Sequence, residues 1–211
     1  KTGFIKSIVK DGEEYLDGMA FAPIMIDDTD DPWGMSKAQS IKLGEKADEF
    51  RLMNGNESAI FAGLKNKILA PVRIVEDGEV EIVVETSLKC RNSQILVRYI
   101  FYKNRPDFEV RYKVFWAEKS MALKLSVPTS INGNYLGETP FGYEKLAEEG
   151  REVPMQKWSA KKNDERIFAV INDGIHGSSC EKGNILLTLL RSPAYSAHPI
   201  AGREILRADR F

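Results

Sequence analysis

Val80-Glu-Ile-Val-Val-Glu-Thr-Ser-Leu-Lys89 decides the fold class. Val80, Ile82, Val84, Thr86 and Leu88 alternate with Glu81, Val83, Glu85, Ser87 and Lys89, the period of two that turns one set of side chains onto a buried face of a β-strand. Asp77-Gly78 stands just before it and predicts a positive-φ turn that folds Val72 to Glu76 back as a hairpin. Ile95 to Tyr102 and Phe108 to Ala117 repeat the alternation around Asn104-Arg-Pro-Asp107, where proline fixes φ in a turn, so a meander follows. Leu123, Leu125 and Val127 alternate with Lys124 and Ser126, and Pro128 ends that strand because it has no N–H for a ladder. Ile167 to Ile171 and Ile185 to Leu190 are more continuously apolar and predict strands buried on both faces. Only Gly142 to Gly150, with Tyr143, Leu146 and Ala147 at helical spacing, predicts a short helix, and Asp27 to Gly55 reads as a long connection. Many short strands separated by turn residues predict an all-β chain, a large two-layer antiparallel β-sandwich forming a single region over 1–211.

Composition limits the functions open to such a fold. Lysine plus arginine (30) nearly balances aspartate plus glutamate (31), so there is no basic excess for phosphate neutralisation and nucleic acid is not an expected partner. A hydrophobic content of 43% suits a packed core. No apolar run reaches the roughly 20 residues that span a bilayer, and Lys1 to Lys6 is not a signal peptide, which predicts a soluble chain with no membrane partner. The two cysteines, Cys90 and Cys180, are expected to be free thiols in a reducing cytoplasm. The chain has no initiator methionine and is strand-like from Phe4, and Arg207-Ala-Asp-Arg-Phe211 has neither polar tail nor helix cap. It is therefore expected to be a piece of a longer polypeptide, incomplete at its carboxyl-terminal end.

Four stretches narrow the reading: Glu138-Thr-Pro-Phe-Gly142, Pro154-Met-Gln-Lys-Trp158, Ile171-Asn-Asp-Gly174 and Leu186-Leu-Thr-Leu-Leu-Arg-Ser-Pro193. In this order the sequence resembles the carboxyl-terminal β-domain of bacterial α-mannosidases of glycoside hydrolase family 38. The resemblance implies a supersandwich of the galactose-mutarotase type. It also implies a parent that hydrolyses terminal α-mannosyl linkages with retention, using a zinc ion in an amino-terminal catalytic domain that this chain lacks. The expected partners are then that domain and, through the parent, a mannosyl oligosaccharide or mannoside. The rival is a stand-alone carbohydrate-binding or structural β-sandwich module, and an upstream domain with His-x-Asp and a nucleophilic aspartate discriminates the two.

Chemistry within the chain is sparse. His176 and His198 are the only histidines, neither forms His-x-Asp, and the cysteines are far apart, so no metal site and no cofactor are expected in this fragment. No catalytic residue is assigned, because retaining glycosidases need two carboxyl groups about 5 Å apart and one acidic loop gives no such placement. Asp27-Asp-Thr-Asp-Asp-Pro-Trp-Gly34 sets four aspartates beside an indole. Such a loop suits sugar hydroxyls and an apolar sugar face, or simply a turn-rich connection; it lacks calcium-loop spacing. A similar segment opens this domain in bacterial relatives, many with histidine where this chain has Met35. Asp31 and Trp33 are accordingly the substrate-proximal residues. Arg191 ends an apolar strand and must find acceptors, either a carboxylate at a domain interface or a sugar hydroxyl, and it joins them as the third. Trp116 and Trp158 read as packing residues.

Overall fold

The computed structural model describes residues 2–28 and 46–193. The first strands are β1 (Val9–Lys10), β2 (Glu13–Glu14), β3 (Ala22–Asp27), β4 (Lys46–Glu49) and β5 (Arg51–Leu52), followed by α1 (Gly55–Phe61). Then come β6 (Val72–Asp77), β7 (Glu81–Cys90), β8 (Ser93–Tyr102), β9 (Phe108–Phe115), β10 (Met121–Pro128) and β11 (Asn134–Thr139). The last are β12 (Gly142–Lys145), β13 (Val153–Pro154), β14 (Trp158–Lys162), β15 (Ile167–Ile171), β16 (Gly177–Glu181) and β17 (Asn184–Arg191). The protein is all-β, and the chain divides into two compact units, residues 1–3 with 49–118 and residues 4–48 with 119–211.

The first unit is one antiparallel sheet in which β7 pairs with β8 and β8 with β9, the meander of the alternating sequence. The β6–β7 hairpin forms as expected, but Gly78 does not take a positive φ; a Gly78 N–H to Glu81 carbonyl bond of 2.9 Å closes a longer loop instead. Both faces of β7 are covered, not one. Leu88, with Ile95 and Val97 of β8, is fully buried on one face, while on the other Glu85 and Ser87 are buried too. Glu85 survives burial because it is flanked in register by Arg73 and Arg98, and both guanidiniums donate to it. Trp116, just beyond β9, is half-buried rather than core.

β4 and β5 fall within the expected connection, and helix α1 begins at its last residue, Gly55. Asn54 caps it: its side chain accepts from the N–H groups of Asn56 and Glu57, and Glu57 accepts in return from the Asn54 N–H at 2.9 Å, a capping box. Arg51 forks onto the same carboxylate at 2.7 and 2.8 Å. The Arg51 hydrogen bond, then the Asn54 N–H, hold the Glu57 pKa down from 4.5 to about 2. Because the folded value is depressed, this stabilisation is present above 4.5 and is lost as pH falls toward 2. Glu57→Gln is expected to cost about 1 kcal/mol at pH 7. Urea unfolding at pH 7 and pH 2 checks this, with the gap between wild type and variant closing at the lower pH.

The second unit is a sandwich. A six-stranded sheet runs β13-β16-β17-β10-β3-β4, and a four-stranded sheet runs β12-β11-β14-β15. Leu123, Leu125, Val127, Ile185 and Leu187 fill the inner face of the larger sheet. Tyr135 of β11, fully buried, reaches across and donates to Ser178 Oγ of β16 at 2.6 Å, so the hydroxyl brought into the core is satisfied. Lys161 is buried beside it and donates to Glu148 at 2.6 Å.

Several local expectations change here. Gly142 to Gly150 is not a helix: the two-residue loop Pro140-Phe141 sends Gly142–Lys145 straight back along β11, Thr139 pairing Gly142, and hairpin pairing overrides the helical spacing of Tyr143, Leu146 and Ala147. β15 is not buried on both faces; it is an edge strand, with Ile167 and Ile171 exposed at 52% and 79%. Cys180 lies in β16. Both cysteines are free and buried, and burial pushes the Cys180 thiol up to about 11.

Candidate functional site

The outer face of the six-stranded sheet carries two buried charge pairs, and a β-bulge puts them together. β10 and β17 pair Leu123 with Leu190 but Lys124 with Thr188, so Leu189 is the extra residue. Thr188 and Arg191 are an odd number of positions apart and would point to opposite faces of a regular strand. The bulge restores Arg191 to the face of Lys124 and Thr188.

Arg191 pairs with Ala122, and Ala122 with Ile26 of β3, so the guanidinium passes over a small fully buried side chain to reach the far strand. It forks onto Asp28, Nε lying 3.1 and 3.0 Å from the two carboxylate oxygens and Nη2 2.6 Å from Oδ1. The Asp28 side chain is 0% exposed and that of Arg191 22%. Two planar donors on one carboxylate fix direction as well as charge. Ser192 holds this end in place: its N–H and hydroxyl both donate to the Met121 carbonyl at 2.9 Å.

Lys124, two residues along β10, is 3% exposed. Its ammonium donates to Glu152 Oε2 at 2.5 Å and to Ser179 Oγ at 2.8 Å, while the Thr188 hydroxyl donates to Glu152 Oε1. Burial lowers the Lys124 pKa, and Glu152 opposes that shift. Gly177 lies under the Glu152 carboxylate, where an added Cβ would approach Oε1 at 3.2 Å.

Of the residues singled out in the sequence, Arg191 thus finds a carboxylate within its own unit. Asp31 and Trp33 lie outside the described residues, as does His198. His176 is exposed and lies between β15 and β16, which belong to different sheets. Among the described residues no three His, Cys, Asp or Glu side chains gather where a metal could be held. Lys124 and Glu152 escape sequence reasoning. A lysine between leucines in a strand is the signal, but its partner 28 residues on has none.

Three of the four sequence motifs also meet, at one end of the four-stranded sheet. The Glu138 carboxylate accepts from the Lys157 N–H at 2.7 Å and its carbonyl from the Gln156 N–H at 2.9 Å. Asn172 donates its N–H to the Lys157 carbonyl at 2.7 Å and its side-chain amide to that of Gln156 at 3.0 Å. Glu138, Gln156 to Trp158 and Asn172 are therefore one hydrogen-bonded assembly, with the fourth motif forming β17 in the other sheet.

Residues 1–198 match the glycosyl hydrolases family 38 C-terminal domain. The chain belongs to that family. No curated protein matches it at a significant level. For this family 38 domain the match covers every described residue from Thr2 to Pro193, so both charge pairs and the convergent motifs lie inside it.

Proposed function

We propose that this chain is the non-catalytic carboxyl-terminal β-domain of a retaining, zinc-dependent α-mannosidase that releases terminal α-mannosyl residues. Membership of the family over 1–198 carries the reading. The disposition of the carboxylates supports a non-catalytic role. Asp28 is held by Arg191, and Glu152 by Lys124 and Thr188, so neither stands ready for displacement at a glycosidic carbon. Among the described residues no group of His, Cys, Asp or Glu could hold a metal ion: His176 is exposed, and both thiols are buried. In this reading zinc and the nucleophile belong to an amino-terminal catalytic domain, which with a mannosyl oligosaccharide or mannoside is the partner of this domain. Two free buried thiols fit a reducing compartment, and we assign the parent to the cytoplasm. No helix among the described residues is long and apolar enough to cross a membrane.

In this reading the substrate-proximal side chains are Asp31 and Trp33, supported by Arg191. The fork on Asp28 anchors the chain three residues before Asp31, which gives the acidic loop a fixed base. In the full-length enzyme, Asp31→Ala and Trp33→Ala are each expected to lower kcat/KM by about 1–3 kcal/mol of transition-state stabilisation, the loss typical of a hydrogen bond to a charged group. Melting temperature should change little. Steady-state kinetics on an aryl α-mannoside, with a thermal melt of each variant, checks both; unchanged kinetics would remove the loop from the substrate site.

A further inference from the structure

The outer strands of the sheets differ in how they end the ladder. An unpaired strand presents a row of free N–H and C=O groups to any other chain, and proteins blunt such edges with short strands, charges, prolines or bulges. In the six-stranded sheet β13 is two residues long and ends in Pro154, and β4 carries Lys46, Asp48 and Glu49. In the first unit β6 is bulged at Val75, and β9 alternates Glu109, Arg111 and Lys113 with apolar residues. β12, at one side of the four-stranded sheet, carries Glu144 and Lys145. β15, at the other side, has none of these devices. Ile167-Phe-Ala-Val-Ile171 is uncharged, free of proline and in unbroken register with β14.

The free groups of this edge belong to alternate residues. The Asn163 N–H donates to the Arg166 carbonyl at 3.0 Å and the Asn172 N–H to the Lys157 carbonyl at 2.7 Å, which sets the phase of the β14–β15 ladder. Phe168 and Val170 therefore bond to β14, and the N–H and C=O groups of Ile167, Ala169 and Ile171 point away from it. The side chains of the same three residues line an open groove on the outer face with Trp158, Ile167 and Ile171 being 52% and 79% exposed. We infer that β15 pairs antiparallel with β15 of a second copy of the chain, about a two-fold axis through Ala169, joining the two four-stranded sheets into one. In that register the strand is its own complement. Ile167 faces Ile171 of the second copy at both ends, and the small Ala169 meets itself on the axis. Each of these pairs is of the kind that exchanges two hydrogen bonds, about six in all. The seam has no charge to repel its copy, unlike β4, β9 and β12, and an isologous pair closes on itself. Five residues a side are far fewer than the roughly 20–30 of a standard interface, so the association is weak, with a dissociation constant of about 10–100 µM. None of this depends on the hydrolase reading, because the pairing uses only the strand edge.

Sedimentation equilibrium of the 1–211 chain, over concentrations from about tenfold below to about tenfold above that range, tests it. A reversible monomer–dimer equilibrium is expected. Ala169→Pro removes an N–H that β14 does not use, and should weaken the dimer by about tenfold or more. Ile171→Lys brings an ammonium from each copy into the seam and should have an effect of about the same size. It keeps the test decisive if the proline variant fails to fold, because Ile171 is mostly exposed. Oxidative cross-linking reads the register. Ala169→Cys sets two thiols across a pair with Cα atoms about 5.5 Å apart, within disulfide reach, whereas Ile167→Cys leaves them roughly 14 Å apart along the strands. Linked dimers of Ala169→Cys and none of Ile167→Cys are expected. The inference is overturned by a chain that stays monomeric throughout, which would leave this edge to a strand of a different chain. A dimer that both Ala169→Pro and Ile171→Lys leave intact, or cross-linking of Ile167→Cys in preference to Ala169→Cys, would overturn it equally.

Discussion

Arg191→Ala is expected to destabilise the protein by about 3 kcal/mol, near the lower end of what breaking a buried ion pair costs. The reason lies in the partner: the Asp28 side chain is 0% exposed, so truncating the arginine leaves a carboxylate in the fold without its fork. The guanidinium is 22% exposed, which lets water compensate in part and sets the loss toward the lower bound. Arg191→Lys restores the charge but only one donor direction, and should recover about half of the loss. On the proposed role of Asp31 and Trp33, both variants should also lower kcat/KM in the full-length enzyme, because Arg191 holds Asp28, three residues before Asp31 in sequence. Urea unfolding of the three proteins gives the stabilities. Equal stability of wild type and Arg191→Ala would mean that the pair does not hold this end of the sheet.

Glu152→Ala should cost about 3 kcal/mol for the complementary reason, since it strands the Lys124 ammonium at 3% exposure with only Ser179 to accept from it. Lys124→Met should cost a similar amount by leaving Glu152 with the Thr188 hydroxyl alone. The double variant Lys124→Met/Glu152→Leu, which leaves no buried charge, should return most of the stability, and a double-mutant cycle reads the coupling directly. The pH dependence adds a sign. Burial already sets the folded Lys124 pKa below 10.5, and Glu152 is what holds it up. In Glu152→Ala the folded pKa falls further, so the unfolded chain binds more protons than the folded one over a wider range below 10.5, and stability rises with pH across that range. The deficit of Glu152→Ala should therefore shrink between neutral and alkaline pH. A constant deficit would show that Lys124 is not the group left unpaired.

Periodicity revealed the strands because period-two alternation is a direct image of the pleat: β7, β8, β9 and β10 lie where alternating residues put them. It could not reveal which faces are covered. Glu85 reads as a solvent residue, yet Arg73 and Arg98 from neighbouring strands allow it to be buried. The helical spacing of Tyr143, Leu146 and Ala147 failed because the two-residue loop sets Gly142–Lys145 in a hairpin with β11, and a helix of nine residues is too short to compete on its own. Helix α1 was missed although Asn54-x-x-Glu57 is a capping box in plain sight, since seven residues are too few to show a period. At the site, Arg191 was recognisable as a cation ending an apolar strand. Its partner was not, because the choice of Asp28 depends on a bulge at Leu189 and on the small side chain of Ala122 between them.

Hydrolysis of an aryl α-mannoside by the full-length gene product, measured before and after treatment with a chelator, tests the central reading most directly. The expected result is turnover that the chelator abolishes and added zinc restores, with none from residues 1–211 alone. Full-length protein that leaves the mannoside intact, or turns it over equally well without metal, would contradict it.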